Sequence, residues 1–296
     1  MFTLANDLLE ISVKKVGAEL CNITSAQNKT EFMWQANPAV WANHAPNLFP
    51  IVGGLKNNTF FFEGQPYEMT KHGFIRNNEN IELIEQTIDT LTFKLTYNEK
   101  TLKYYPFKFE YFVKYVLKDN KLAITYSVKN LDDKAILFSV GGHPAFTCPV
   151  FENESYSDYY LEFEKIENSK THLLDMANGL VSLNTAPVFN NSNKIELSHN
   201  LFVNDALIFK DLKSKKISLK SKLTGTILSL DYEDFDYLGI WAKPNGDFVC
   251  IEPWLGIADS VDTNQEFNTK EGIIRLDVNN TFEATYGIEI IEDLLR

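Results

Sequence analysis

Cysteine is scarce: Cys21, Cys148 and Cys250 are the only three in 296 residues, and no two stand at CxxC spacing. That excludes a disulfide scaffold and gives no sign of a zinc site, so buried free thiols are expected. The five histidines, His44, His72, His143, His172 and His199, are never three or four residues apart, so a helix-borne metal motif is absent and no metal is expected. Basic residues are also in short supply. Against 40 Asp and Glu stand 28 Lys and Arg, and the net charge of -12 repels phosphate backbones and anionic lipid, so nucleic acid and membrane surfaces are excluded as partners. No apolar run approaches the length of a membrane span, and the opening Met1 to Glu10 has neither a basic n-region nor a long apolar h-region. A cytoplasmic location is expected. Repeats, low-complexity tracts and Pro/Gly-rich linkers are missing, which favours one domain over residues 1–296. Long stripes of 3.6-residue period with caps are missing too, so helices should be few and short.

What the chain does have is apolar bulk and alternation. Hydrophobic residues make up 44%, with 22 Phe and 13 Tyr, ample for a sizeable core. Leu91, Phe93, Leu95 and Tyr97 alternate with polar residues; so do Phe107 through Leu117, Leu122 through Val128 and Phe282 through Ile290. Two-residue periodicity of this kind marks strands with one face in a core. Shorter strands are expected at 136–140, 159–163, 206–209, 217–219, 226–230 and 237–241, and loops near 148–158 and 185–193. Short polar turns such as Lys118-Asp-Asn-Lys121 suit antiparallel hairpins. An all-β chain, built as a large sandwich of mainly antiparallel strands, is the predicted class.

Chemistry-bearing residues stand out against that background. In Asp247-Phe-Val-Cys-Ile-Glu-Pro-Trp254 the carboxylate of Glu252 interrupts an apolar run, on the face shared by Phe248 and Cys250. Apolar neighbours would raise its pKa toward that of a useful base; a solvated strand-end Glu is the other reading. Pro253 suggests that the strand ends there and aims the carboxylate into a mouth. In Phe138-Ser-Val-Gly-Gly-His-Pro-Ala-Phe146, Pro144 restricts His143 to extended backbone, which suits either a fixed acid or a satisfied strand-end histidine. His72, with Lys71 and Arg76, could donate to a polyol and carry an anion, or form a solvated basic turn. Asp205 could hold a hydroxyl pair or form a turn. Trp254 and Trp241 could stack on a sugar face or sit in the core.

Together these pieces carry a family likeness. Gly17-Ala-Glu-Leu20, Glu31-Phe-Met-Trp-Gln35 with Trp41, Phe49-Pro-Ile-Val-Gly53, Lys71-His-Gly-Phe74, Gly141-Gly-His-Pro-Ala-Phe146, Asn204-Asp-Ala-Leu-Ile-Phe209 and Cys250-Ile-Glu-Pro-Trp254 occur in order. The sequence resembles the aldose 1-epimerase (galactose mutarotase) family, in its shorter bacterial branch of lactose-operon-associated and hexose-phosphate-epimerase-like proteins. The resemblance implies a galactose-mutarotase-like β-supersandwich with an open, sugar-sized cleft. It also implies Glu252 as general base, His143 as general acid, and His72 and Asp205 as substrate-holding residues; Arg76, Lys71 and Trp254 are further expected substrate contacts on the chemistry of the residues themselves. No cofactor is needed for such a reaction. The expected partner is a small-molecule sugar, free or 6-phosphorylated, and the expected assembly a monomer or homodimer. One departure stands out: Gly54 follows the Pro-Ile-Val-Gly run where the branch commonly has an arginine, whose contact is either missing or supplied by Lys56, Lys71 or Arg76. Two rivals remain open. One is a non-catalytic sugar-binding or sensing protein. The other is a glycoside hydrolase or lyase using Glu252 with Asp205 or Asp259 as paired carboxylates.

Overall fold

The computed structural model describes residues 1–296. Its strands gather into a nine-stranded sheet, an eight-stranded sheet, a three-stranded N-terminal sheet and two small ribbons, and its helical segments are isolated three-residue 3-10 turns. The predicted all-β class holds. Phe109–Lys118 and Lys121–Asn130 show how alternation builds it: one face of each strand is buried, and the two pair directly across a turn at Asp119, whose φ is +51°. Their buried face meets the eight-stranded sheet. Tyr115 and Tyr126 reach across to Asn47, where the Tyr126 hydroxyl donates to Asn47 Oδ1 at 2.9 Å and the Asn47 amide donates to the Tyr115 hydroxyl at 3.3 Å. One continuous apolar cluster of 70 buried residues fills the space between, with aromatic side chains supplying much of its volume.

The site-bearing sheet is centred on Phe248–Leu255, whose eight residues are all buried. It pairs with Tyr237–Trp241 on one side, and on the other with Ala145–Thr147 and then Val140–Gly142. This corrects the expectation that Pro253 ends the strand. Proline lacks only the N–H, and Pro253 sits where the neighbouring chain breaks at His143 and Pro144, so no ladder bond is lost on that side. A separate interruption at Ser139 splits the predicted 136–140 strand. Ile136–Phe138 pairs with Ile274–Leu276, whereas Val140–Gly142 joins the large sheet. The predicted loop at 185–193 is mostly strand: Leu180–Pro187 and Ser192–Glu196 cover all but its middle. Leu180–Pro187 is an edge strand with only its first two residues buried, so it carries no apolar alternation to read. Three short N-terminal strands, Phe2–Ala5, Leu9–Val13 and Leu20–Ser25, are not among the expected ones, although Leu9, Ile11 and Val13 alternate inward.

Beyond Leu255 the chain turns at Gly256, and a buried ion pair anchors the segment after it. Lys270 Nζ donates to Asp259 Oδ1 at 2.9 Å and to the Ile257 carbonyl at 2.6 Å, with both charged side chains 3% exposed. Burial pulls the Lys270 ammonium below the usual lysine range while Asp259 opposes that shift. Asp259 also accepts the Lys56 N–H, and its own N–H donates to the Gly54 carbonyl, tying this turn to the 53–56 segment. Lys270→Met should therefore destabilise the protein by about 3–5 kcal/mol, because it leaves a buried carboxylate without its cation. Denaturant unfolding of the variant would show this as a lower midpoint with an unchanged slope.

Candidate active site

Glu252 and His143 meet at the broken sheet. His143 Nε2 lies 3.3 Å from Glu252 Oε2, and the two side chains are 11% and 2% exposed. Their proximity is a product of topology: Glu252 sits in the central strand, opposite Gly239, and His143 occupies the gap beside it. The His143 N–H donates to the Pro46 carbonyl at 3.1 Å, and the neighbouring Gly141 and Gly142 pair with Leu48 and Asn47. Above the imidazole, the Trp41 ring stacks at a centroid distance of 5.0 Å with planes 25° apart, and Trp241 meets its edge at 6.0 Å.

His72 faces the same space, its ring 5.7 Å from that of His143 and nearly perpendicular. Its backbone is left-handed, at φ +68°, and its Nδ1 accepts the Gly53 N–H at 3.1 Å. An accepting Nδ1 places the ring hydrogen on Nε2, so this histidine is a neutral donor. Burial keeps it so, holding its pKa well below the usual histidine value, with His143, Lys71 and Arg76 adding to the effect. Asp205, also left-handed at φ +70°, accepts the Ala206 N–H on Oδ1 and stands half-buried at the rim.

Trp254 lies flat on the sheet. A Cβ added at Gly239 would fall 2.4 Å from its ring, and one at Gly141 would fall 2.9 Å from Trp254 Cδ1, so both flanking strands need glycine where the indole crosses them. These groups, with Lys71 and Arg76, line one open cavity of about 170 Å³. Glu252, His143, His72, Asp205, Lys71, Arg76, Trp254 and Trp241 are thus brought to that cavity, whereas Lys56 and Asp259 are not. The tryptophans extend it. Trp41 and Trp241 line the cavity beside Trp254, and Trp34 donates its indole N–H to the Trp41 carbonyl at 2.8 Å, so all four tryptophans of the chain serve this region. Trp41 belongs to a quoted motif, but its place over His143 has no sequence signal; a stretch without strand or helix carries it.

Burial dominates the electrostatics. It raises the Glu252 carboxyl well above its usual range, with Asp205 adding to the rise while Lys71 and the Trp254 indole oppose it. It lowers the His143 imidazole to about 3, with Lys71 and Arg76 adding to the fall. Both effects favour the uncharged pair, one proton resting on Glu252. Glu252 Oε2, His143 Nδ1, Trp254 Nε1 and Arg76 Nε are buried without a hydrogen-bond partner in the protein. Unsatisfied atoms converging on a cavity mark a place for a polar ligand.

The cations sort themselves. Lys56, weighed as a substitute for the missing arginine at Gly54, gives its ammonium to the Val261 carbonyl at 2.9 Å and lies outside the cavity. Lys71 and Arg76 line it. Of the three arginines, Arg275 and Arg296 pair with Asp277 and Glu292, whereas Arg76 has no carboxylate within ion-pair distance. Asp259 is committed to Lys270, which removes it as a second carboxylate for glycoside cleavage.

The chain matches the family described as Aldose 1-epimerase over residues 1–273. It is 32% identical over 296 residues to the plasmid-encoded protein LacX of Lactococcus lactis subsp. lactis, covering 97% of this chain and 98% of that one. The galactose mutarotase related enzyme from Lactobacillus acidophilus superposes with a TM-score of 0.93 at 36% identity, covering 98% and 97% of the two chains. A galactose mutarotase-like protein from Lactobacillus casei gives a TM-score of 0.89 at 26% identity, covering 98% and 100%. The galactose-mutarotase-like sandwich expected from the sequence is the fold these structures share. No helix is long and apolar enough to cross a membrane.

Proposed function

Because the chain belongs to the aldose 1-epimerase family, and so is an enzyme of the isomerase class, we propose that it interconverts the α and β anomers of a hexose or hexose 6-phosphate, with Glu252 and His143 moving the protons. The observation that carries this reading is the 3.3 Å approach of His143 Nε2 to Glu252 Oε2 at the floor of a cavity. Opening a hemiacetal removes a proton from the anomeric hydroxyl and delivers one to the ring oxygen. Both oxygens are bonded to the same carbon, so the groups that serve them must be neighbours.

The proton count closes. Ionised Glu252 takes the anomeric proton, protonated His143 gives one to the ring oxygen, rotation about C1–C2 presents the other carbonyl face, and reversed transfers reclose the ring. The pair holds one proton throughout. Before opening it lies on His143 and afterwards on Glu252, and the second arrangement is the one that burial favours in the empty site. A sugar whose hydroxyls replace water around the pair stabilises the charged arrangement.

In this reading His72 donates from Nε2 to an oxygen that gains negative charge, Asp205 accepts from ring hydroxyls, and the Trp254 indole forms the floor under an apolar sugar face. Lys71 and the unpaired Arg76 take the place of the arginine absent at Gly54, and they give a phosphorylated hexose a local welcome that the net charge of -12 otherwise denies. The test is a panel of anomer-exchange rates by saturation-transfer NMR for glucose, galactose and their 6-phosphates. Acceleration of at least one sugar is expected. Binding seen by calorimetry with no acceleration of any would replace this reading with a non-catalytic sugar-binding one.

A further inference from the structure

Cys250 shares a strand face with Glu252, two residues before it, and the proton relay makes no use of its thiol. Its Sγ, a ring nitrogen of His143 and a carboxylate oxygen of Glu252 all lie within 4.8 Å of one another. A tetrahedral ion with bonds of about 2.0–2.3 Å sets its ligand atoms about 3.3–3.8 Å apart. The His143–Glu252 edge, at 3.3 Å, already meets that spacing, and the others close to it by about 1 Å at most. We propose that Cys250, His143 and Glu252 form a three-ligand site for a thiophilic divalent cation, Zn2+ above all, which enters from the cavity, occupies the proton-transfer pair and inhibits turnover.

One observation independent of the spacing points to a ligand there: Glu252 Oε2 is buried without a hydrogen-bond partner in the protein. His143 and Glu252 line the cavity, which gives the ion its way in and leaves a fourth position for water or a sugar hydroxyl. Around the cluster, Lys71 and Arg76 repel a dication, Asp205 attracts it and His72 faces it as a neutral ring. The opposing cations favour reversible binding. Sequence spacing conceals such a site, because 107 positions separate His143 from Cys250.

Inhibition rests on the roles proposed above for Glu252 and His143; binding does not. The test titrates the chelator-treated full-length protein with Zn2+ by calorimetry, and with Co2+ as a spectroscopic probe. One ion per chain and a thiolate-to-cobalt charge-transfer band are expected. Cys250→Ser should lose the band and at least tenfold in affinity, keep the native anomer-exchange rate and become resistant to Zn2+. Cys250→Ala, checked for an unchanged thermal midpoint, guards against misfolding of the serine variant. A band that survives in Cys250→Ser, where Cys21 and Cys148 remain, or Zn2+ affinity unchanged in both variants, overturns the site. A cysteine-dependent ion that leaves exchange untouched upholds the binding site but overturns the inhibition, and with it the proton-transfer roles.

Discussion

Glu252→Gln is expected to lower the anomer-exchange rate by about 10²–10⁴-fold and, at neutral pH, to make the protein more stable. The loss follows from removing the group that takes the anomeric proton, since an amide of the same shape has no such capacity. The gain follows from burial. Glu252 is 1% exposed and its carboxyl is held well above the ordinary value of 4.5. A carboxyl raised on folding contributes its full stability below the unfolded value, and that contribution is lost as the pH climbs through the folded one. Glutamine does not titrate. The stability gap between the variant and the native protein should therefore widen from about pH 4.5 upward. Thermal midpoints at pH 5 and pH 8, measured beside the exchange rate, check both halves. Undiminished exchange in the variant removes Glu252 as the base, and a gap that does not grow with pH shows that the carboxyl is not buried as an acid.

Such opposition between stability and activity explains which parts of the molecule were legible in the sequence. Strands with one buried face announce themselves: in Lys121–Asn130, Leu122, Ile124, Tyr126 and Val128 alternate inward because a two-residue repeat and a one-sided core leave no other pattern. Glu252 was visible for the converse reason, as the lone charge in an otherwise apolar strand. Features set by long-range topology left no local trace. Nothing near Pro253 says that the adjoining chain breaks opposite it, so the proline read as a strand end although the strand runs on to Leu255. Leu180–Pro187, exposed along an edge, offered no alternation. The seating of Trp41 over His143 depends on a stretch without strand or helix, and on an indole bond from Trp34 that no periodicity encodes. The convergence of the site residues followed from the family likeness, whereas their spacing in the sequence carried none of it.

Replacing His143 by asparagine should leave sugar affinity within a few-fold of native while turnover falls by about 10²–10⁴-fold. Proton delivery to the ring oxygen occurs only in the transition state, so its loss appears in kcat rather than in ground-state binding. The contacts proposed to hold the sugar, from His72, Asp205, Arg76 and Trp254, belong to other segments of the chain and remain. Calorimetric affinity and saturation-transfer rates separate the two effects. Equal losses in both would make His143 a binding residue instead. The more demanding expectation concerns the double variant with Glu252→Gln. A relay that needs a base and an acid at once, on oxygens of one carbon, fails almost completely when either is absent, so removing the second should cost little more than removing the first. Two losses that multiply would mean independent actions at separate points of the reaction. The 3.3 Å contact between the two side chains would then be no more than a packing consequence of the broken sheet.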